Sequence, residues 1–527
     1  MNEIETINSN LGEGRISRRQ ILKGAGALGA LMPISGLLSP ILLSEAGAAK
    51  PGGTLRVGTP FGAASVLDPH VAPPGNQDVM RNFNVFDLLF WYDKSGKLYP
   101  KIAESCESNK SATVWTLKIK SGVKFHDGST LTVDDVIYSI KRIQDPKTAA
   151  EARSTLAMID GSLLRKIDAY TLEIPMLYPY SILPNQFATK GVSIIKAGTT
   201  SFESLNGTGP YKFVSGDAQK VILGRNANCW IGGGRPYLDT VEIINVPDAA
   251  ARLNGLKTGA LDTIYPTTAA DGKAVASDSN ILVFTSQTGT MQPLLMNAKL
   301  KPFNDPNVRL AMKLATDRTT MNRLSYDGKG KIGNDMFGVF DSGYPKDLKQ
   351  RAYDPEKAKA LWKKAGLEKS TLKLYTADIW PAQITHSTVF AQQAKKAGIK
   401  VQVVTQPADQ YFTKGYGVQA FHNEYWNYRP ILTLWNACFN LDSGDYQYTS
   451  WATEKATKLF KAAAAQGDPK KRDEITREMM LIFHNDGPYV VWAFETSQSL
   501  YSSKIGGQEN SPIRSLNGFD FSGFFVK

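Results

Sequence analysis

The stretch Glu424-Tyr-Trp-Asn-Tyr-Arg-Pro-Ile431 brings together side chains suited to gripping a small polar molecule. The guanidinium of Arg429 is a planar fork of donors that matches a carboxylate or phosphate with two parallel bonds. Trp426 and Tyr428 within the stretch, Trp435 beyond it and Trp380 further upstream offer stacking and apolar cover beside that fork. The same residue types serve architecture equally well: an arginine fork closes a structural ion pair, and Trp and Tyr pack cores. One charge-assisted bond contributes roughly 1.5–3 kcal/mol, against about 8.2 kcal/mol for a micromolar complex. Arg429 therefore needs the aromatic burial around it to make a site.

Covalent chemistry has no comparable signature. The chain contains neither G-x-S-x-G nor H-E-x-x-H, and its five histidines (His70, His126, His386, His422 and His484) are scattered along the sequence. An exported hydrolase remains an alternative on sequence grounds. A nickel or metal-chelate site using His386 and His422 is another, although a protein-held ion prefers several ligands. No cofactor and no catalytic residue are implied.

The N-terminal region carries an address. Ser17-Arg-Arg-Gln-Ile-Leu-Lys23 precedes a Gly-, Ala- and Leu-rich stretch that ends in Ala46-Gly-Ala48. Paired arginines in this setting are read by the twin-arginine exporter, and small-x-small suits signal peptidase. Residues 1–48 are thus expected to be a cleaved twin-arginine signal peptide, delivering a periplasmic protein that begins at Ala49. The alternative is a membrane anchor, since about 20 apolar residues span a bilayer. Four glycines and two prolines between Gly24 and Leu43 argue against a permanent helix. Gly24-Ala-Gly-Ala-Leu-Gly29 matches a dinucleotide fingerprint by chance, because no strand precedes it.

Length and composition bound the rest. The 527 residues, 42% hydrophobic and 21% charged, read as two or three globular domains. The net charge of +12 is dispersed rather than gathered in a stripe, which argues against nucleic acid and favours at most anionic ligands. Cys106, Cys229 and Cys438 cannot all pair and form no C-x-x-C, so they read as small buried hydrophobes.

The elements that must position these residues follow from periodicity and punctuation. Val114–Lys120 partly alternates as a half-buried strand, and Thr132-Val-Asp-Asp135 opens a helix running through Ile143. Asp248 caps a helix over 249–258 that Gly259 stops. Lys373 to Val404 reads strand–helix–strand, a βαβ unit of right-handed crossover, with the helix expected over 388–397.

Several of these segments, in order, resemble the extracellular solute-binding proteins of peptide- and nickel-type ABC importers (family 5). Asn84–Leu89 with Tyr99–Ser105 is similar to the family's early block, and Trp115–Gly128 to its "FHDG" block. Gly207-Thr-Gly-Pro-Tyr-Lys212, Asp305–Arg318 and Tyr353–Gly366 match three more. The resemblance implies an α/β, two-lobed periplasmic binding protein fold of the type II, three-domain cluster, with a hinge and an interlobal cleft. Residues 49–86, 207–290 and 495–527 would form the main domain of lobe 1, 87–206 its inserted domain, and 291–494 lobe 2. A monomer would capture a peptide-like, opine-like or other anionic or zwitterionic solute and deliver it to permease subunits with ATPases. Peptide-binding members carry an aspartate hereabouts that holds the ligand's ammonium. This chain instead resembles the W-x-G-R-x-D-P branch, with Trp426 and Arg429 on the pattern and Tyr428 and Ile431-Leu432 off it. The resemblance also implies ligand contacts at Arg153, Gly75 and Asn76. His126-Asp-Gly128 and the Gly207 block are expected to be architectural.

Overall fold

The computed structural model describes residues 51–62, 65–71, 75–380, 382–407, 410–441, 449–509, 511 and 515–527. The twin-arginine segment and the expected cleavage point lie outside the described residues. Residues 49–527 form one compact unit.

Two sheets organise that unit. In the eight-stranded sheet, Thr54–Thr59 pairs in parallel with Thr240–Asn245 and with Thr263–Ile264. Its alternate residues Leu55, Val57, Val241 and Ile243 are buried beside Leu223 and Tyr501. The five-stranded sheet runs Lys400–Thr405, Thr371–Thr376, Phe421–Asn423, Leu294–Met296, Tyr489–Val490. Here the expected βαβ unit is present, with Leu372 opposite Val401 in parallel register. Its helix spans Gln383–Lys396 and starts five residues ahead of the expected position. Ala382, at φ 62°, precedes it without a side-chain cap, so no start signal was available to read.

The chain passes between the sheets at two places. Strand Ile281–Met291 of the large sheet continues into Leu294–Met296 of the smaller one. Tyr489–Val490 returns into Ala493–Ser502, which lies antiparallel to Ile281–Met291 with Met291 opposite Phe494. The two crossings are therefore neighbours.

A four-stranded sheet (Ala103–Ser108, Val114–Ile119, Thr171–Pro175, Arg165–Lys166) builds a third module. Helix Val133–Gln144 covers it, started by the expected capping box of Thr132 and Asp135. The Gly207 block docks at its base. A Cβ on Gly207 would lie 1.9 Å from the Val85 carbonyl oxygen, so only glycine permits that approach. His126 leans on the same block, its Nε2 3.0 Å from the Gly209 carbonyl oxygen. The module's apolar core, with Trp115, Leu117, Ile140 and Leu172, continues into Trp435, Phe439 and Phe483 of the C-terminal helices. Polar bonds span the same seam: the Ser181 N–H donates to the Ala464 carbonyl at 2.6 Å and Ser181 Oγ to Gln466 O at 2.9 Å.

Candidate functional site

The segment 421–438 leaves the five-stranded sheet at Asn423, runs past the first crossing and enters helix Ile431–Cys438. Trp426 is pinned there by both backbone bonds to Met291, at 2.9 and 3.0 Å. Its indole N–H donates to the Tyr489 hydroxyl at 3.2 Å. The half-buried Arg429 guanidinium lies 4.8 Å above the Trp426 ring. Among the described residues, no carboxylate forms an ion pair with Arg429. Its planar face is held by an aromatic ring, while its donor edge has no anionic partner there.

Tyr428 points elsewhere. Its hydroxyl donates to Asp341 Oδ1 and its ring meets Phe340 edge-on at 5.1 Å. The other Asp341 oxygen accepts the Ile431 N–H at 2.6 Å, capping the helix at its first residue. Tyr428 and Asp341 line a crevice of about 290 Å³, with Tyr92 and Asn185 of the third module on the far side. Burial pushes the Asp341 carboxyl up to about 6, against the two hydrogen bonds that favour its charge.

The remaining candidates divide. Trp380 stacks on Tyr425 at 4.6 Å and 7°. Trp435 is wholly enclosed by Phe337, Phe439, Trp451 and Phe483, so packing accounts for its ring. Arg153 is exposed, and its Nε–H donates to the Gln144 carbonyl at 3.4 Å. It lines a depression of about 310 Å³ within the third module, and none of the other candidates lines that depression. Gly75 caps helix Asn76–Val85, where a Cβ would lie 2.4 Å from the Gly62 nitrogen; residues 72–74 beside it are outside the described set.

Sequence reasoning passed over two acids. Glu424, directly after the buried Phe421-His-Asn423 strand, is itself fully buried; it accepts the Tyr416 hydroxyl and, at 2.9 Å, the Tyr425 N–H. Burial raises its carboxyl to about 8. Glu495 lies one residue beyond Phe494 on the second crossing, and burial raises its carboxyl to about 7.

The histidines are engaged within the fold. His422 Nδ1 contacts the Asn423 carbonyl at 2.7 Å and its Nε2 accepts the Gly417 N–H at 3.1 Å, while His386 Nε2 accepts from Asn423 Nδ2 at 2.8 Å. Among the described residues, no three His, Cys, Asp or Glu side chains come together as a metal set. The three thiols are unpaired, with Cys438 buried and the other two half-buried.

Two sheets are bridged by paired crossings, with Arg429 laid on Trp426 beside the first of them. The chain belongs to the bacterial extracellular solute-binding proteins, family 5, which its residues 97–458 match. It is the substrate-binding component of an ABC importer and not an enzyme. It is 28% identical over 395 residues to the glutathione-binding protein GsiB of Pectobacterium atrosepticum, covering 71% of this chain and 73% of that one. It is 24% identical to the dipeptide-binding protein of Escherichia coli K12, covering 79% and 84%. The fold matches Helicobacter pylori DppA in complex with peptide STSA at TM-score 0.81 and 22% identity, over 90% of this chain and 98% of that one. It matches AgaA of A. tumefaciens R10, solved with agropinic acid, at TM-score 0.80 and 24% identity, over 90% and 99%. The expected periplasmic binding protein fold is the one observed.

Proposed function

We propose that this protein captures a small solute bearing a carboxylate, of peptide, glutathione or opine type, and that Arg429 reads that carboxylate. The observation that carries the reading is the Arg429 guanidinium, laid on Trp426 at 4.8 Å and without an ion-pair partner among the described residues. Relatives that bind glutathione and dipeptides, and a fold neighbour solved with agropinic acid, support the same solute class. In this reading the eight- and five-stranded sheets belong to lobes 49–86, 207–290, 495–527 and 291–494, the third module (87–206) is inserted in the first, and the two crossings are the hinge. Twin-arginine export, a monomeric state and delivery to a permease with ATPases complete the proposal.

The free energy that holds the lobes shut comes from the ligand's preference for the closed form. A thermal-shift series with glutathione, dipeptides and opines tests it, because a ligand raises the melting temperature with its concentration over Kd. Arg429→Ala is expected to abolish the shift while leaving the apo melting temperature nearly unchanged. An unaltered shift in that variant overturns the role of Arg429.

A further inference from the structure

Two helices beside the five-stranded sheet stop on nearly the same sequence. Lys363-Lys-Ala-Gly-Leu367 closes helix Pro355–Lys364, and Lys395-Lys-Ala-Gly-Ile399 closes helix Gln383–Lys396. In both, the glycine takes a positive φ of 70° and donates its N–H to the first lysine's carbonyl, Gly366 to Lys363 at 2.9 Å and Gly398 to Lys395 at 3.0 Å. The next N–H reaches one residue further back, Leu367 to Trp362 at 3.3 Å and Ile399 to Ala394 at 3.0 Å. These paired bonds are those of a Schellman stop.

Each stop feeds a strand of the sheet. The strands Thr371–Thr376 and Lys400–Thr405 lie in parallel, with Thr371 opposite Lys400, so the two helix ends meet at the starting edge of the sheet. Lys359, one helical turn before Lys363, shows how closely: its Cγ lies 3.8 Å from where a Cβ on Gly398 would stand. Positive charge that is dispersed along the sequence is thus gathered by the fold. Residues 355–400 hold nine lysines against three acids, so this stretch carries +6, half of the chain's net charge of +12.

Lys359, Lys363, Lys364, Lys395, Lys396 and Lys400 are all exposed, and none pairs with a carboxylate among the described residues. The helix dipole accounts for the two Lys-Lys pairs, and protection of an edge strand accounts for Lys400. Lys359, in the middle of its helix, is beyond the reach of either effect. Like charges held together work against the compact state, and no ion pair offsets that here. The face lies at the far end of the sheet from the recognition segment. Phe421–Asn423 runs parallel to Thr371–Thr376, with Tyr375 opposite His422, and residues 424–429 leave its carboxyl end.

We propose that this lysine face rests on the anionic phospholipid surface of the membrane that houses the importer. An extracellular solute-binding protein works beside that membrane, whose headgroups are the polyanion that exposed, unpaired lysines fit. Trp362, between Lys359 and Lys363 in sequence, is buried, so the face offers charge without a stacking platform for nucleic-acid bases. Held by this end, the protein keeps residues 424–429 turned away from the bilayer and gathers solute at the surface where the importer draws on it. The proposal does not depend on which solute Arg429 reads.

Flotation with vesicles of phosphatidylcholine, alone or mixed with phosphatidylglycerol, tests it. The protein used begins at Ala49, the form that the expected cleavage leaves and one compact unit. Binding is expected to the anionic vesicles alone and should vanish at about 0.5 M salt, where screening shortens the reach of each charge. A lysine near such a surface contributes about 5-fold, so the variant K359Q/K363Q/K395Q/K396Q should lower partitioning at least about 100-fold at low salt. K94Q/K110Q/K141Q/K147Q removes the same charge from exposed lysines within residues 87–206 and should lower it far less. Both variants should melt near the wild-type temperature.

Equal losses in the two variants would mean that net charge, and not this face, drives adsorption, and would overturn the proposal. So would equal binding of wild type to both kinds of vesicle. A wild type that ignores anionic vesicles overturns it too, whether or not a single-stranded oligonucleotide is retained; neither of these results needs a variant to fold.

Discussion

At the scale of single residues, Arg429, which has no anionic partner among the described residues, is the most informative feature of this chain. Arg429→Ala removes one charge-assisted contact, so affinity for a carboxylate-bearing solute should fall by about 10- to 100-fold in calorimetry. Glu424 has a different consequence. Its folded carboxyl is raised to about 8 by burial, while the unfolded chain releases that proton near its ordinary value of about 4.3. The native state therefore holds more protons across that window, and this residue's contribution to stability is full below it and is lost as pH rises through it. Glu424→Gln keeps an acceptor for the Tyr416 hydroxyl and the Tyr425 N–H. It should flatten the decline in chemical-denaturation stability between pH 5 and 8. The histidines act in the opposite sense: burial lowers His70 and His422 to about 4 and His386 to about 3. Their contribution is complete above about 6.5 and is lost as pH falls toward 4. Arg429 and Trp426 could be singled out in the sequence because both types fit one recognition chemistry, and the guanidinium does lie on that ring. Glu495 offered no such cue, since its neighbour Phe494 meets Met291 only through tertiary register.

At the scale of elements, Asp341 is the joint that holds the segment leading into helix Ile431–Cys438. It receives the Tyr428 hydroxyl and the first N–H of helix Ile431–Cys438. Asp341→Ala should cost about 0.5–2 kcal/mol in denaturant unfolding, the usual range for a lost cap. Tyr428→Phe should cost less, since it leaves the cap intact. Local signals explain which elements could be read in advance. The Thr132 box and the Asp248 cap with its Gly259 stop are found as expected, because capping depends on a few adjacent residues. The short strand Leu294–Met296 gave no such cue. It is too brief to show a period, and its pairing with Tyr489–Val490 joins residues almost 200 positions apart. Trp435 was expected beside the ligand; its place in an aromatic cluster depends on Trp451 and Phe483, which approach from other helices.

At the scale of the whole molecule, the seam between the third module and the C-terminal helices is where opening must occur if the crossings act as a hinge. Cysteines introduced at Ser181 and Gln466, whose Oγ and carbonyl oxygen lie 2.9 Å apart, should lock that seam on oxidation. The locked protein is expected to lose uptake of added solute and regain it with reductant, as followed by calorimetry with and without dithiothreitol. Unchanged association kinetics in the oxidised form would show that solute enters without parting the seam. The three native thiols are half-buried or buried, which favours the engineered pair.

Trp426 is bonded to the first crossing strand at Met291, and Phe494 of the second lies opposite the same residue. If the crossings turn as proposed, contacts made so close to the axle act with leverage: a small shift in backbone there swings the distant edges through a much longer arc. With Arg429 in its proposed role, a change of diet for this receptor needs only a handful of substitutions around Met291, Trp426 and Phe494. The outer faces that meet the transporter can stay as they are.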